Sequence, residues 1–253
     1  MNIMIIAFEV TIMTKYDFLV DGIPVCIYPF SNTSDDKELM IYNLVENGIA
    51  VFLYPEGDAD FGVTSLDKNN GEPREPELIF AALSCFFLRV RGYPHMTLLV
   101  KYRDRIHELV IDDKPYQITE NIGKCKMLCT KTVKMNDGTE IKVRQLAFRD
   151  TALCTVCHDA VLFDKDRLNL LLHLQDFSSA IFAVAISYKD KLSVIAVGDT
   201  APCHAIASGV AALSYEGVRL ADGAYSLNFN GDDYRMFKSR DDLVFYPSVK
   251  YLY

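Results

Sequence analysis

The sequence predicts an α/β (α+β) protein built from two structurally equivalent halves, and three observations support this. Most of the 253 residues lie in short alternating or continuous apolar segments separated by turn residues, as is typical of β-strands. Four other stretches have the composition and end residues of helices. The first and third of these, like the second and fourth, are separated by about 130 residues, close to half the chain. This element order indicates a duplicated fold, although the two halves have no visible sequence similarity.

The four predicted helices cover residues 34–46, 76–90, 166–174 and 202–216. The second is apolar on nearly every side, and the fourth is rich in alanine and glycine, so both are expected to be buried. An Asp-Gly pair at 137–138 indicates a hairpin between two of the predicted strands. We expect an N-terminal half at 1–115 and a C-terminal half at 116–253, whose last strand could return to the first half. A cleft between the halves is the default place for a site.

Composition and charge exclude several classes of function. The net charge of −8 argues against a general nucleic-acid surface, and no apolar run approaches the roughly 20 residues that a membrane span needs. Residues 1–10 lack a basic region and a cleavage site, which favours a strand over a signal peptide. The seven cysteines, an odd number without a regular framework, indicate reduced thiols. We therefore expect a cytoplasmic protein.

The segment GDTAPCHAIASG at 198–209 contains the strongest candidate for chemistry. It combines a turn, a helix start and Cys203 in the first helical turn. The amide groups and the dipole at a helix N-terminus favour a thiolate, which is the reactive form of cysteine. Cys203 is therefore a candidate base. The alternative is a small apolar residue that packs at a helix end.

Five segments carry a resemblance to a known family. GDTAPC at 198–203 is similar to the Gly-Glu-Thr-x-Ala-Cys motif of diaminopimelate epimerase and related cofactor-independent epimerases and isomerases. The other segments are KYDFLVD at 15–21, EPELIFAALSCFF at 75–87, NDGTEIKVRQLAFRDTALCTVCHD at 136–159 and VRLADGAYSLNFNGDDYRMFKSRDDLVFYP at 218–247. The resemblance implies two mirrored halves, each a curved mixed or antiparallel sheet around a central helix. It also implies a mechanism in which two cysteines, each at a helix N-terminus, remove and return a proton.

The sequence departs from this family at most of the expected site positions. The first family cysteine falls on Ile79, and the small residue after it becomes Phe80. The asparagine of the family's Gly-Asn-Pro-His motif falls on Asp150. The remaining candidates for lining the cleft or helping Cys203 are Glu77, Asp199, Thr200 and His204. For Glu77, Asp199 and His204, a helix-start charge or a solvated side chain is the favoured explanation.

Two functions therefore stay open. The first is a divergent isomerase in which Cys203 alone shifts a proton on a non-standard substrate, without cofactor or metal. The second is a catalytically inactive family member that serves as a binding or assembly scaffold. The partner is accordingly a small-molecule substrate or an unknown protein, and a homodimer is compatible with the family resemblance. The spacing of Cys154, Cys157 and His158 matches a haem-attachment pattern, but strand positions explain these residues better.

Overall fold

The computed structural model describes residues 15–29, 48–67, 76–114, 116–148, 151–157, 164–174, 180–188, 191–198 and 200–252. The predicted helix at 34–46 lies outside these residues. The chain divides into two compact units, one formed by Met1–Lys114 with Ser248–Tyr253 and the other by Pro115–Pro247. Among the helices in the described ranges, none is long and apolar enough to cross a membrane.

The first unit contains a seven-stranded mixed sheet. Its strands are β1 (Tyr16–Val20), β2 (Ile23–Tyr28), β3 (Ile49–Tyr54), β4 (Phe61–Asp67), β5 (Met96–Tyr102), β6 (Arg105–Ile111) and β16 (Val249–Leu252). Their order is β16-β1-β2-β3-β4-β5-β6. The pairs β2–β3 and β4–β5 are parallel, and the others are antiparallel. The last strand of the chain therefore pairs with the first described one.

Helix α1 (Glu77–Cys85) connects β4 to β5 and continues as a π-helical turn, Phe86–Val90. All its residues from Leu78 to Cys85 are buried, as predicted from the apolar sequence around the whole helix. It packs against β1, β2, β6 and β16. The helix begins directly after Pro76, whose fixed φ suits a helix start. The central buried helix predicted for this half is thus confirmed.

The second unit contains a nine-stranded mixed sheet. Its strands are β7 (Ile118–Asn121), β8 (Lys126–Lys134), β9 (Glu140–Phe148), β10 (Thr151–Cys157), β11 (Phe182–Tyr188), β12 (Leu192–Gly198), β13 (Gly223–Phe229), β14 (Asp232–Ser239) and β15 (Asp242–Phe245). Their order is β7-β15-β14-β13-β12-β11-β10-β9-β8. The predicted Asp-Gly hairpin connects β8 to β9, with Gly138 at a φ of 85°.

Two helices cover the two faces of this sheet. Helix α2 (Lys165–Leu172) buries Leu168 and Leu171 against one face, and Asp164 caps it by accepting a hydrogen bond from the amide of Asp166. Helix α3 (Pro202–Tyr215) packs on the other face and buries every residue from Pro202 to Leu213. Because both faces are covered, β11 is apolar along nearly its whole length, FAVAI.

The pairing pattern repeats between the units. In the first, an antiparallel pair β1–β2 is followed by parallel β2–β3, antiparallel β3–β4, parallel β4–β5 and antiparallel β5–β6. Strands β9 to β14 show the same succession in the second unit. The parallel β4–β5 step contains α1, and the equivalent β12–β13 step contains α3. The predicted fold class, two equivalent halves with a central buried helix each, is therefore confirmed.

Candidate functional site

The start of α3 positions the strongest candidate residue. Strand β12 ends at Gly198, whose φ is +92°, and the helix begins four residues later at Pro202. The N-cap residue is Ala201, which has extended geometry and a side chain that cannot accept a hydrogen bond. Thr200, one of the predicted site residues, instead donates its hydroxyl to the carbonyl of Ala201 at 3.1 Å. Thr200 thus shapes the helix start locally.

Cys203 and His204 occupy the first turn of α3 and are both buried. Cys203 is 1% exposed and His204 is 4% exposed. Cys203 belongs to an apolar cluster that includes Ala201, Ala205 and Ile206. The structure therefore places the predicted base and its predicted helper side by side, away from solvent.

A third buried polar group, Glu120, completes this arrangement. It lies on β7 and points to the same side as the buried Ile118, two residues earlier, because side chains alternate along a strand. Its carboxylate Oε1 lies 2.7 Å from Nε2 of His204, and only 1% of Glu120 is exposed. One ligand atom from each of Glu120, Cys203 and His204 lies within 4.8 Å of the others. We call these three residues the Cys-His-Glu cluster.

The cluster combines three groups that can exchange protons. A carboxylate at ion-pair distance stabilises a positively charged imidazole, and burial strengthens that interaction because water screens it less. An imidazole next to a thiol can accept its proton, which is how many nucleophilic cysteines are activated. The amides of the helix N-terminus favour negative charge on the same sulfur. The cluster thus places an imidazole and a carboxylate within 4.8 Å of the Cys203 sulfur, the kinds of group that acid/base chemistry at a thiol uses.

The matching helix of the first unit carries no such cluster among its described residues. Ile79, where the resemblance expects the second cysteine, is fully buried. Phe80 is also buried, and its ring lies against the rings of His107 and Tyr102 at centroid distances of 5.1 and 6.0 Å. Glu77 is the first residue of α1 and is half-buried. Burial lowers the pKa of His107, and the positive charge of Arg105 lowers it further. The negative charge of Glu77 opposes this shift.

Other thiols provide a reference for Cys203. Burial raises the pKa of Cys125 to about 12, and burial together with a hydrogen bond to Asp17 does the same for Cys26. Cys125 is buried like Cys203, with 5% exposure, and belongs to the same apolar cluster, but it is not part of the Cys-His-Glu cluster. It is therefore a matched thiol that should stay protonated and inert near neutral pH.

Two predicted site residues, Asp150 and Asp199, lie outside the described residues, as do the side chains of Cys154, Cys157 and His158. Conversely, Glu120 was not among the site residues predicted from the sequence. A signal was present, because Ile118 predicts an inward-facing side and Glu120 falls on the same side two residues later. Nothing in the sequence indicated that this side would face His204.

The structure resembles several solved proteins of one fold. A phenazine biosynthesis protein of the PhzF family from Enterococcus faecalis is 10% identical, with a TM-score of 0.59 over 95% of this chain and 100% of its own. A hydroxyproline epimerase from Agrobacterium vitis, with bound trans-4-hydroxy-L-proline, is 9% identical, with a TM-score of 0.56 over 95% of this chain and 92% of its own. A methylitaconate-delta-isomerase is 9% identical, with a TM-score of 0.51 over 95% of each chain.

These similarities establish the fold. No protein-family model matches the sequence, and no curated protein matches it either. The resemblance predicted from the sequence is confirmed by structures of the PhzF family and by racemase-like and epimerase-like structures, which share the fold expected from that resemblance.

Proposed function

We propose that the protein is an isomerase that moves a proton on a small organic molecule, with Cys203 as its acid/base group. The observation that carries this proposal is the Cys-His-Glu cluster at the start of α3. The fold supports it, because solved structures of the same fold include proteins named as a racemase, an epimerase and an isomerase. Function does not follow from fold alone, so the cluster bears the argument.

A single base accounts for the difference between the two units. Inversion at a carbon through two bases needs proton-transfer groups on both faces of the substrate. Ile79 occupies the position expected for the second base, and its hydrocarbon side chain cannot exchange a proton. One base suffices for a proton shift on one face: the thiolate of Cys203 takes a proton from carbon, and the resulting thiol returns it to another carbon of the delocalised anion. The substrate therefore has a double bond or carbonyl next to its acidic C–H.

The residues around Cys203 also limit the substrate class. Ala201, Ala205 and Ile206 are apolar and buried. Burying the charges of an amino-acid headgroup without partners costs several kcal/mol. We infer a substrate with fewer charges than diaminopimelate, presented to Cys203 through an apolar part.

The second candidate function is a non-catalytic scaffold, and burial is the observation that favours it. The side chain of Cys203 is almost completely covered, and Ile79, Phe80 and Ile206 are buried as well. In this alternative, the cluster is a structural polar network within the core of the second unit.

Deuterium exchange tests the first candidate. The protein is incubated in D2O with trans-4-hydroxy-L-proline, methylitaconate and diaminopimelate, and incorporation at carbon is followed by NMR. We expect incorporation into methylitaconate, whose acidic C–H lies next to a double bond and which carries no ammonium group, and not into diaminopimelate. Cys203→Ala should abolish incorporation, and Glu120→Gln should slow it by about tenfold or more. Cys125→Ala, the matched control, should retain it. Incorporation that persists in Cys203→Ala would contradict the proposal.

A reactivity comparison separates the scaffold from the enzyme without a substrate. The intact protein is treated with iodoacetamide near neutral pH, and modified cysteines are quantified by mass spectrometry. If Cys203 is activated, it reacts faster than the equally buried Cys125. Equal, negligible modification of both thiols would favour the scaffold.

A further inference from the structure

We infer that the Cys-His-Glu cluster is a binding site for Zn²⁺, which inhibits the enzyme by taking Cys203 as a ligand. The inference deepens the proposed function, since the inhibition rests on Cys203 as the base. The metal site itself stands on the geometry of Glu120, Cys203 and His204 alone.

The chemistry of the three donors selects the metal. A thiolate, an imidazole nitrogen and a carboxylate oxygen are the ligand types that zinc uses in proteins. Calcium and magnesium prefer sites made entirely of oxygen, and a thiolate with an imidazole favours zinc and similar transition metals. A set of three protein ligands leaves the fourth tetrahedral position for water or another small ligand.

The spacing of the donors fits one ion with a small adjustment. The three donor atoms already lie within 4.8 Å of one another. Tetrahedral zinc with bonds of about 2.0–2.3 Å separates its ligand atoms by roughly 3.3–3.7 Å. The 2.7 Å contact between Oε1 of Glu120 and Nε2 of His204 must therefore widen by roughly 0.5–1 Å, which a rotation of the carboxylate can provide.

Charge gives the strongest reason for a divalent ion. With the thiolate and the carboxylate negative and the imidazole neutral, the two negative charges balance Zn²⁺. All three side chains are at least 95% buried, and Cys203 belongs to an apolar cluster of buried residues that includes Ala201, Ala205 and Ile206. An apolar interior tolerates a neutral metal complex much better than separate charges.

Metal binding and catalysis exclude each other at this sulfur. A thiolate bound to zinc is a much weaker base than a free thiolate, because the metal withdraws electron density from the sulfur, and it does not take a proton from carbon. Zinc would therefore hold the enzyme in an inactive form, and a chelator would release the base. This makes the site a means of regulation by metal availability.

The test titrates the metal-free full-length protein with Co²⁺, a coloured substitute for Zn²⁺, under reducing conditions. We expect one equivalent to produce a sulfur-to-cobalt charge-transfer band that excess Zn²⁺ removes. Cys203→Ser should lose the band, and Glu120→Gln should weaken Co²⁺ binding by about tenfold or more. Cys129→Ser removes a thiol on β8 outside the cluster. This variant should keep the charge-transfer band and the wild-type affinity for Co²⁺. A band that is absent from the wild type, or that persists in Cys203→Ser, would overturn the inference.

A second measurement does not depend on the folding of variants. X-ray absorption of the wild type loaded with one equivalent of Zn²⁺ should show one sulfur at about 2.3 Å and lighter atoms at about 2.0–2.2 Å. The exposed group His95, Asp112 and Asp113 offers only nitrogen and oxygen. A spectrum without sulfur would exclude Cys203 as a ligand and refute the proposed site.

Deuterium exchange with Zn²⁺ and with a chelator separates the two proposals. If Zn²⁺ suppresses deuterium exchange and a chelator restores it, the result supports both the isomerase function and the inhibitory zinc site. If sulfur-bound zinc is found and no substrate exchanges under either condition, the proposed function fails while the metal site stands. If exchange is unaffected by Zn²⁺, the inhibition is refuted and the isomerase remains.

Discussion

Gly198, the last residue of β12, should be among the least replaceable residues of the second unit. Its φ of +92° lies in a region that side chains disfavour, at a cost of about 1–3 kcal/mol. A Cβ atom there would also lie 2.5 Å from the carbonyl oxygen of Ile181 and 2.9 Å from Cα of Phe182. Because these are backbone atoms, they cannot rotate away. Overpacking of this kind costs about 1–3 kcal/mol more. Gly198→Ala should therefore lower the free energy of unfolding by about 2–6 kcal/mol.

A matched glycine separates the two contributions. Gly231 has a similar φ of +104°, but a Cβ there meets nothing within 4 Å. Gly231→Ala should therefore show only the conformational cost, about 1–3 kcal/mol. The difference between the two variants in the loss of unfolding free energy measures the cost of the close backbone approach at Gly198.

The assay is urea unfolding followed by far-ultraviolet circular dichroism, because the chain contains no tryptophan. Hydrogen exchange of α3 provides a local readout, since Gly198 leads into the turn before Cys203. We expect faster exchange in the first turn of α3 for Gly198→Ala and no change there for Gly231→Ala. Equal destabilisation by both substitutions would show that the close backbone approach at Gly198 contributes nothing to stability.

Two further predictions concern the end of α3. A hydrogen bond from the buried Arg144 lowers the pKa of Glu216, so the ionised carboxylate stabilises the folded state. That contribution is present above the ordinary carboxyl pKa and is lost as the pH falls through the lowered one. Unfolding free energies measured between about pH 6 and pH 3 should therefore decrease more steeply for the wild type than for Glu216→Gln, and parallel curves would contradict this. The hydroxyl of Tyr215 donates to the carbonyl of Cys125 at 3.1 Å and accepts from the amide of Met127 at 3.3 Å. Tyr215→Phe should lower the free energy of unfolding by about 1 kcal/mol, measured by urea denaturation. An unchanged midpoint of unfolding would show that these two hydrogen bonds make no net contribution to stability.

Local chemistry explains why much of the fold could be predicted from the sequence. Pro76 and Pro202 mark helix starts because a proline suits the first helical turn, and the apolar composition between 77 and 90 indicates a buried helix. The Asp-Gly pair at 137–138 favours the hairpin that connects β8 to β9. Each of these features depends on neighbouring residues alone. The N-cap of α3 was less predictable, since Ala201 occupies that position and Thr200 bonds to its carbonyl.

From the sequence alone, Cys203 could be placed in the first turn of a buried helix, and Ile79 at the position where the resemblance expects the second cysteine. The groups near Cys203, in contrast, depend on how the strands and helices of the second unit pack. Glu120 reaches His204 because β7 pairs with β15 at the edge of the second sheet and presents its inner side to α3. That contact joins residues far apart in the chain, and long-range strand pairing depends on the packing of the whole unit. The sequence therefore identified the thiol, and the packing of the second unit supplied the imidazole–carboxylate pair beside it.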